Sequence, residues 1–335
     1  MTLKTQLYFF CHCDKVLNIK EMKIKIKPPQ IVFAALGIAV FLTAIIFIAR
    51  SPVLIISDMV FRDLYGKHRF RIETVKSSII LFRIVKPVMI ADDASDDILL
   101  AAIESASRRP NCVIFPLRFA MTARSYRENY PKIPVIILEG RYSEDGTNPL
   151  SSMIGSSRED YFIYGTDIEA DFNRAGLAAA FLDDEKNGTI VVFLESYTQR
   201  QGRENFTKIL VEMEKTIKTQ FFLSYSQQQI SRINDISCAV LVGSGGEFLE
   251  KHPDIPVILF TWLNPGLFPD NVAVIFDDSP LIQVVFAVRM AAAGLAEGRI
   301  PSKMAAVKSG KFNKEMTKKI INFDEKKPLD DLTNF

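Results

Sequence analysis

Thiols, imidazoles, acidic clusters and one glycine-rich turn are the features of this sequence whose residue types could do chemistry. Cys11-His12-Cys13 groups metal-binding side chains, but no second ligand pair follows downstream, so the spacing of a zinc site is absent. Cys112 and Cys238 each fall in a strand-like apolar run, in different halves of the chain, and read as buried free thiols. His12, His68 and His252 lie in the N-terminal segment, a helical stretch and a Lys-His-Pro turn. No Ser/His/Asp order or metal pair forms among them, so neither an enzyme nor a cofactor is expected. Gly243-Ser244-Gly245-Gly246 could offer backbone N–H groups to an anion. It matches neither a Walker motif nor a dinucleotide fingerprint, and an ordinary strand-to-helix turn is the better reading.

The elements that must position these residues alternate along the chain. The best-punctuated block runs from Tyr161 to Ile217. Tyr161–Tyr164 reads as a buried strand, and Ile168, Phe172, Ala175, Ala179 and Leu182 form one helical face. Asn187-Gly188 is a turn, Ile190–Leu194 a β-branched strand, and Phe206, Ile209, Leu210, Met213 and Ile217 mark a second helix. That spacing suits βαβ crossovers, so a parallel sheet covered by helices on both faces is expected.

Before this block, strands are predicted at Val53–Ile56, Val88–Ile90, Cys112–Phe115 and Pro134–Leu138. A helix is predicted over 59–83 with Leu64, Ile72, Val75 and Ile79 on its buried face, and another from Asp96, capped by Ser95. After it come strands at Phe221–Leu223, Ala239–Val242, Pro256–Phe260 and Val272–Phe276. Asp277-Asp278-Ser279-Pro280 opens a long helix with Leu281, Val284, Val285, Val288, Ala292 and Leu295 buried, which Gly298 is expected to end. Beyond Pro301 large apolar residues are few and unperiodic, and 311–335 is expected to be a mobile tail.

The chain is 335 residues, 48% hydrophobic and 24% charged, too apolar for disorder and long enough for two α/β lobes. A net charge of +2 gives no argument for nucleic acid, and none is expected as a partner. Ile31–Ala49 is an uncharged run of 19 residues preceded by Lys20, Lys23, Lys25 and Lys27. That pattern predicts a transmembrane anchor over 31–50, with 1–30 in the cytoplasm and the large domain extracytoplasmic. The competing reading is a cleaved signal peptide, whose apolar region is usually ~7–15 residues and ends in a small-residue site. Here the run is longer and meets Arg50 with no such site. Met22, followed by alternating lysine and isoleucine, reads as a more ordinary start than Met1.

Four stretches together resemble the type 1 periplasmic-binding-protein fold, shared by the solute-binding receptors of ABC transporters and the effector domains of LacI-type repressors. They are Asp92-Asp93-Ala94 with Asp96-Asp97; Cys112–Pro116 leading to Ile133–Leu138; Gly165-Thr166-Asp167 with Gly176-Leu177-Ala178-Ala179; and Asp278-Ser279-Pro280 before a long helix. The resemblance covers most of residues 52–310. It implies two Rossmann-like lobes joined by a hinge, an N-lobe of about 52–145 with 256–280 and a C-lobe of about 158–255 with 281–310. It further implies a small polar ligand held outside the C-terminal ends of the strands. The positions carried over by it are Asp58, Phe61, Asp92, Arg141, Asp167, Trp262 and Asp278.

Each of these has a plainer alternative. Asp92, Asp167 and Asp278 also suit helix starts, Trp262 suits packing as well as stacking, and Arg141 suits a solvated loop. Two features depart from the sugar-binding relatives: Val242 is followed by glycines where those carry an acidic or amide residue, and the arginine those carry ahead of a Gly-Phe pair is displaced, since Asn205 precedes Phe206 and both Arg200 and Arg203 fall out of register. A sugar is therefore not implied. The expected function is an anchored solute-binding protein of the cell membrane, with an ABC permease as the partner that a transport role implies. The alternative is a membrane-tethered sensor or interaction protein with the same fold.

Overall fold

The computed structural model describes residues 28–91, 93–141, 150–154, 158–183, 188–195, 199–212, 218–306 and 320. The chain divides into two compact units, Met1–Ala49 and Arg50–Phe335. The first contains the helix α1 (Pro28–Ala49), 22 residues without a charged side chain. Among the described residues no helix is long and apolar enough to cross a membrane. For α1 the described side chains are those of 36–49, fewer than the roughly 20 residues that a span needs.

The second unit runs β1 (Val53–Asp58), α2 (Met59–Tyr65), α3 (Lys67–Leu81), β2 (Val85–Ile90), α4 (Asp96–Ala106), β3 (Cys112–Pro116), α5 (Ala120–Asn129), β4 (Val135–Gly140), α6 (Leu150–Ile154) and β5 (Phe162–Thr166). It continues with α7 (Ile168–Asp183), β6 (Thr189–Phe193), α8 (Gln199–Glu212), β7 (Lys218–Phe222), α9 (Gln227–Ile230), β8 (Ile236–Val242), α10 (Gly246–Lys251), β9 (Val257–Phe260) and β10 (Val272–Asp277). Last come α11 (Pro280–Ala292), β11 (Glu297–Ile300) and β12 (Lys303–Ala306).

Two six-stranded sheets result, ordered β11-β5-β4-β3-β1-β2 and β12-β10-β9-β8-β6-β7. Every pairing is parallel except that of β12 with β10. Alternation along each strand divides its side chains between two cores. In the first sheet Leu54, Ile56, Val113, Phe115, Val135 and Ile137 face one way, and Val53, Ile55, Cys112, Ile114, Ile136 and Leu138 the other. Both faces are covered, which is why these strands read as unbroken apolar runs.

The chain crosses between the sheets three times: from β5 to α7 at Asp167, from β10 to α11 at Asp278–Ser279, and from β11 to β12 at Pro301–Ser302. The two-lobed, parallel-sheet expectation holds, but the assignment of segments to lobes does not. β5 belongs to the first sheet, and β9 and β10 to the second, where Ile258, Phe260, Val274 and Phe276 pack against α7 residues. The helix α11 covers the first sheet, placing Leu281, Val284 and Ala287 beside Val53 and Ile114.

Three local expectations are also corrected. The stretch 59–83 is two helices, because Gly66 takes φ 95° and its missing Cβ makes room for Asn264 Nδ2, which a Cβ would meet at 2.8 Å. Its buried side chains are Tyr65, Phe70 and Ser77, and the expected face of Leu64, Ile72, Val75 and Ile79 is exposed. The helix α11 ends at Ala292, before Gly294, with Ala292 and Leu295 exposed; Gly298 instead lies in β11, paired with Tyr164. The segment after Pro301 forms β12, and Ile320, the one described residue beyond 306, is fully buried in the second lobe's core; the rest of the expected tail, 311–319 and 321–335, lies outside the described residues. Asn187, Met213 and Ile217 lie outside the described residues.

Candidate functional site

Beyond the C-terminal ends of β1 and β3 lies a cavity of about 390 Å³, lined among others by Asp58, Phe61, Arg118 and Trp262. The end of β1 delivers Asp58, which caps α2: its Oδ1 accepts the Phe61 N–H at 2.6 Å. Its Oδ2 accepts from Arg118 Nη1 at 2.8 Å. Arg118 reaches there because the single turn Leu117–Phe119 follows directly on β3, and its guanidinium lies 4.6 Å from the Phe119 ring centre. Asp58 is buried while the Arg118 side chain keeps 44% of its surface, so the carboxylate is the fixed member and the guanidinium the accessible one.

Trp262 enters from the second lobe, two residues past β9, and meets Phe61 with ring centres 5.0 Å apart and planes at 46°. Phe61 in turn stacks on Tyr65 at 5.3 Å. The loop carrying Trp262 is tied to the first lobe: Asn264 N donates to Leu64 O at 2.9 Å, and Arg69 Nη1 donates to Leu263 O at 3.1 Å. Arg69 also pairs with Asp277, which accepts from Tyr65 Oη at 3.2 Å and from Ser279 N at 2.9 Å. Burial raises the Asp277 carboxyl above its ordinary value, with Arg69 pulling it back down.

A second cluster stands at the crossing between β10 and α11. Arg141, the residue after β4, donates through Nη2 to Asp278 Oδ1 at 2.8 Å and through Nη1 to Phe260 O at 3.3 Å. Thr166 Oγ1 lies 3.5 Å from Asp278 Oδ2 and accepts from Gln283 Nε2 at 3.1 Å. Glu195, two residues past β6, faces this cluster. Burial raises its carboxyl above the ordinary range, Arg141 opposes that and Asp278 adds to it. A Cβ at Gly243 would meet Glu195 Oε1 at 1.8 Å, so the turn read as glycine-rich exists to let this carboxylate lie against the backbone.

Of the seven positions carried over, the structure brings Asp58, Phe61 and Trp262 into one cavity. It brings Arg141 and Asp278 into one ion pair, joined to the cavity through Phe260–Trp262. Asp167 is a helix cap, accepting from Ala170 N at 3.0 Å while its own N–H donates to Ile300 O at 2.9 Å. Asp92 lies outside the described residues. Among the described residues no group of three or more histidine, cysteine or acidic side chains could hold a metal.

No family model matches the chain, and no curated protein matches it by sequence. Solved structures do. A periplasmic ribose ABC transporter protein from Conexibacter woesei is 15% identical with a TM-score of 0.48, covering 81% of this chain and 95% of its own. A transcriptional activator of the comK gene from Bacillus halodurans is 13% identical with a TM-score of 0.49, covering 82% and 95%. An ABC transporter periplasmic solute binding protein from Actinobacillus succinogenes, with bound D-allose, is 13% identical with a TM-score of 0.47, covering 78% and 99%. At that distance these likenesses say nothing of ligand or role. What the chain itself shows is two mostly parallel sheets joined by three crossings among the described residues.

Arg118, Glu195, Arg69 and Asp277 escaped the sequence reading. The first two follow strand ends by two residues, the same signal that marks Trp262. Arg69 carries no such mark, because it acts from within a helix. Asp277 was visible only as the neighbour of Asp278.

Proposed function

We propose that the chain is a membrane-anchored extracytoplasmic binding protein, one that takes a single small polar ligand between its two lobes for an ABC transporter. The observation that carries this reading is the cavity of about 390 Å³ at the C-terminal strand ends. Parallel sheets hold ligands in that place, and an aromatic from each lobe, Phe61 and Trp262, meets there. A guanidinium with an accessible face and two aromatic rings suit a compact ligand that is flat or hydroxylated. The anchor is supported by the uncharged run Ile31–Ala49 of 19 residues and by the lysines before it.

A membrane-tethered interaction protein is the second reading. It is favoured by the pairing of Asp58 with Arg118 and of Asp278 with Arg141, which satisfies the site's carboxylates within the protein. Thermal shift and tryptophan emission against sugars, nucleosides, amino acids and polyamines separate the two. A compound present at a hundred times its Kd should add ~2.7 kcal/mol of stability and change the emission of Trp262. Trp262→Ala and Arg118→Ala should each abolish that shift. If no compound shifts the wild type, or if both variants bind a hit as well as wild type does, the cleft assignment fails and the interaction protein is the better reading.

A further inference from the structure

The end of the first lobe opposite the cavity carries a surface that ligand binding does not use. It is made by the N-terminal ends of β1, β2 and β3 and the last turn of α3. Ile79 there is 67% exposed and Ile80 42%. At the same end of the sheet are Arg83, Arg50 with its guanidinium 5.0 Å from the Phe82 ring centre, and the exposed Arg108 and Arg109 of the turn leading into β3. Of the acids on the last turns of α4 and α5, Glu128 is paired with Arg124, and Glu104 accepts from the Tyr130 hydroxyl. The stretch entering β1 is short and pinned: Ser51 O accepts from Arg83 Nη1 at 3.2 Å, and Pro52 O accepts from Asn111 N at 2.7 Å.

We propose that this base of the first lobe rests on the membrane surface, with Ile79 and Ile80 among the lipid headgroups and the four arginines facing anionic lipid. The inference rests on the anchor reading given under Proposed function. From Ala49 to Val53 the backbone spans at most ~14 Å, so an inserted anchor leaves the start of β1 at the interface, and whatever shares that end of the sheet lies nearest to lipid. Exposed apolar side chains and arginines at one end of a lobe suit an interfacial surface: the isoleucines leave water, and the guanidiniums meet lipid phosphates. The same isoleucines facing bulk water would gain neither.

The test uses the full chain with Cys11 and Cys13 replaced by serine, carrying an environment-sensitive fluorophore at Ile79→Cys, in vesicles of phosphatidylcholine and phosphatidylglycerol. The control is the same fluorophore at Val211→Cys, 69% exposed on α8 of the second lobe. Quenching by a headgroup-level nitroxide lipid should be roughly twofold or more stronger at 79 than at 211, and should fall with added salt and with Arg108→Glu/Arg109→Glu. Alkaline washing is run in parallel. Retention with no quenching at 79 overturns the membrane-facing base and leaves the anchor standing. A probe at 79 shielded from water yet unquenched by lipid means that a second copy covers this surface, which also overturns it. Release by the wash removes the anchor and this proposal together.

Discussion

Cys112 and Cys238 are 2% and 0% exposed, in β3 and β8, and burial pushes the Cys112 thiol up to about 11 and Cys238 up as well. Only a thiolate attacks a disulfide reagent, so at pH 8 both should stay unmodified in the native protein and react on adding denaturant. Modification of either before unfolding would show that its strand opens readily. These thiols were legible in the sequence because a cysteine inside an apolar strand has nowhere to go but the core. Asp58, Phe61 and Trp262, carried over by the resemblance, line one cavity because parallel strands place their ends at one level. Asp167 follows a strand end too, yet it caps α7, and Arg118 was missed because the turn that aims it leaves no periodicity. Position along the strand can be read from residue order, whereas the direction of a side chain two residues beyond depends on a turn whose shape the local sequence specifies weakly.

At the scale of elements, α3 is the clearest departure from expectation and the clearest source of a test. Its apolar residues recur with helical spacing, but they lie outward, because Phe70 and Arg69 are wanted on the inner side, to join the cluster around Leu281 and to meet Asp277. Periodicity identifies a face and cannot say whether that face meets a core or a partner. Arg69 keeps the fully buried Asp277 company, so Arg69→Met leaves a buried carboxylate without its cation and should cost ~3–5 kcal/mol. The pH dependence has a definite sign. Asp277's carboxyl is raised by burial, and losing Arg69 raises it further, so the folded protein holds a proton that the unfolded chain releases. Stability is then lost as pH rises through the folded value, and the variant's deficit in urea unfolding should be larger at pH 8 than at pH 5. An equal or smaller deficit at pH 8 would mean that Asp277 is compensated by other groups.

Across the whole molecule, the lobes are not separate lengths of chain, as the resemblance implied, but which segment belongs to which lobe was the part that residue order could not give. Strand and helix alternation fixes neither which sheet a strand joins nor where the chain crosses, since β9 would pair as readily with any apolar edge of the same length. Crossing three times makes each lobe depend on the other's segments. The Asp171 carboxylate, buried on α7, accepts from Ser302 N at 2.9 Å, and Arg174 Nη2 donates to Ser302 O at 2.8 Å, so the third crossing is fastened inside the second lobe. The first lobe in turn takes its core residues Leu281 and Val284, 1% and 0% exposed, from α11, which follows strands β6 to β10 of the second lobe in sequence. Burying two such side chains is worth ~3–6 kcal/mol, against ~5–15 kcal/mol for a whole domain. A chain of residues 50–278 should therefore lack a cooperative urea transition, in both circular dichroism and Trp262 emission, where 50–335 shows one. If 50–278 unfolded cooperatively at the same midpoint, the first lobe would be stable without α11, and the three crossings would serve only to steer the lobes relative to each other.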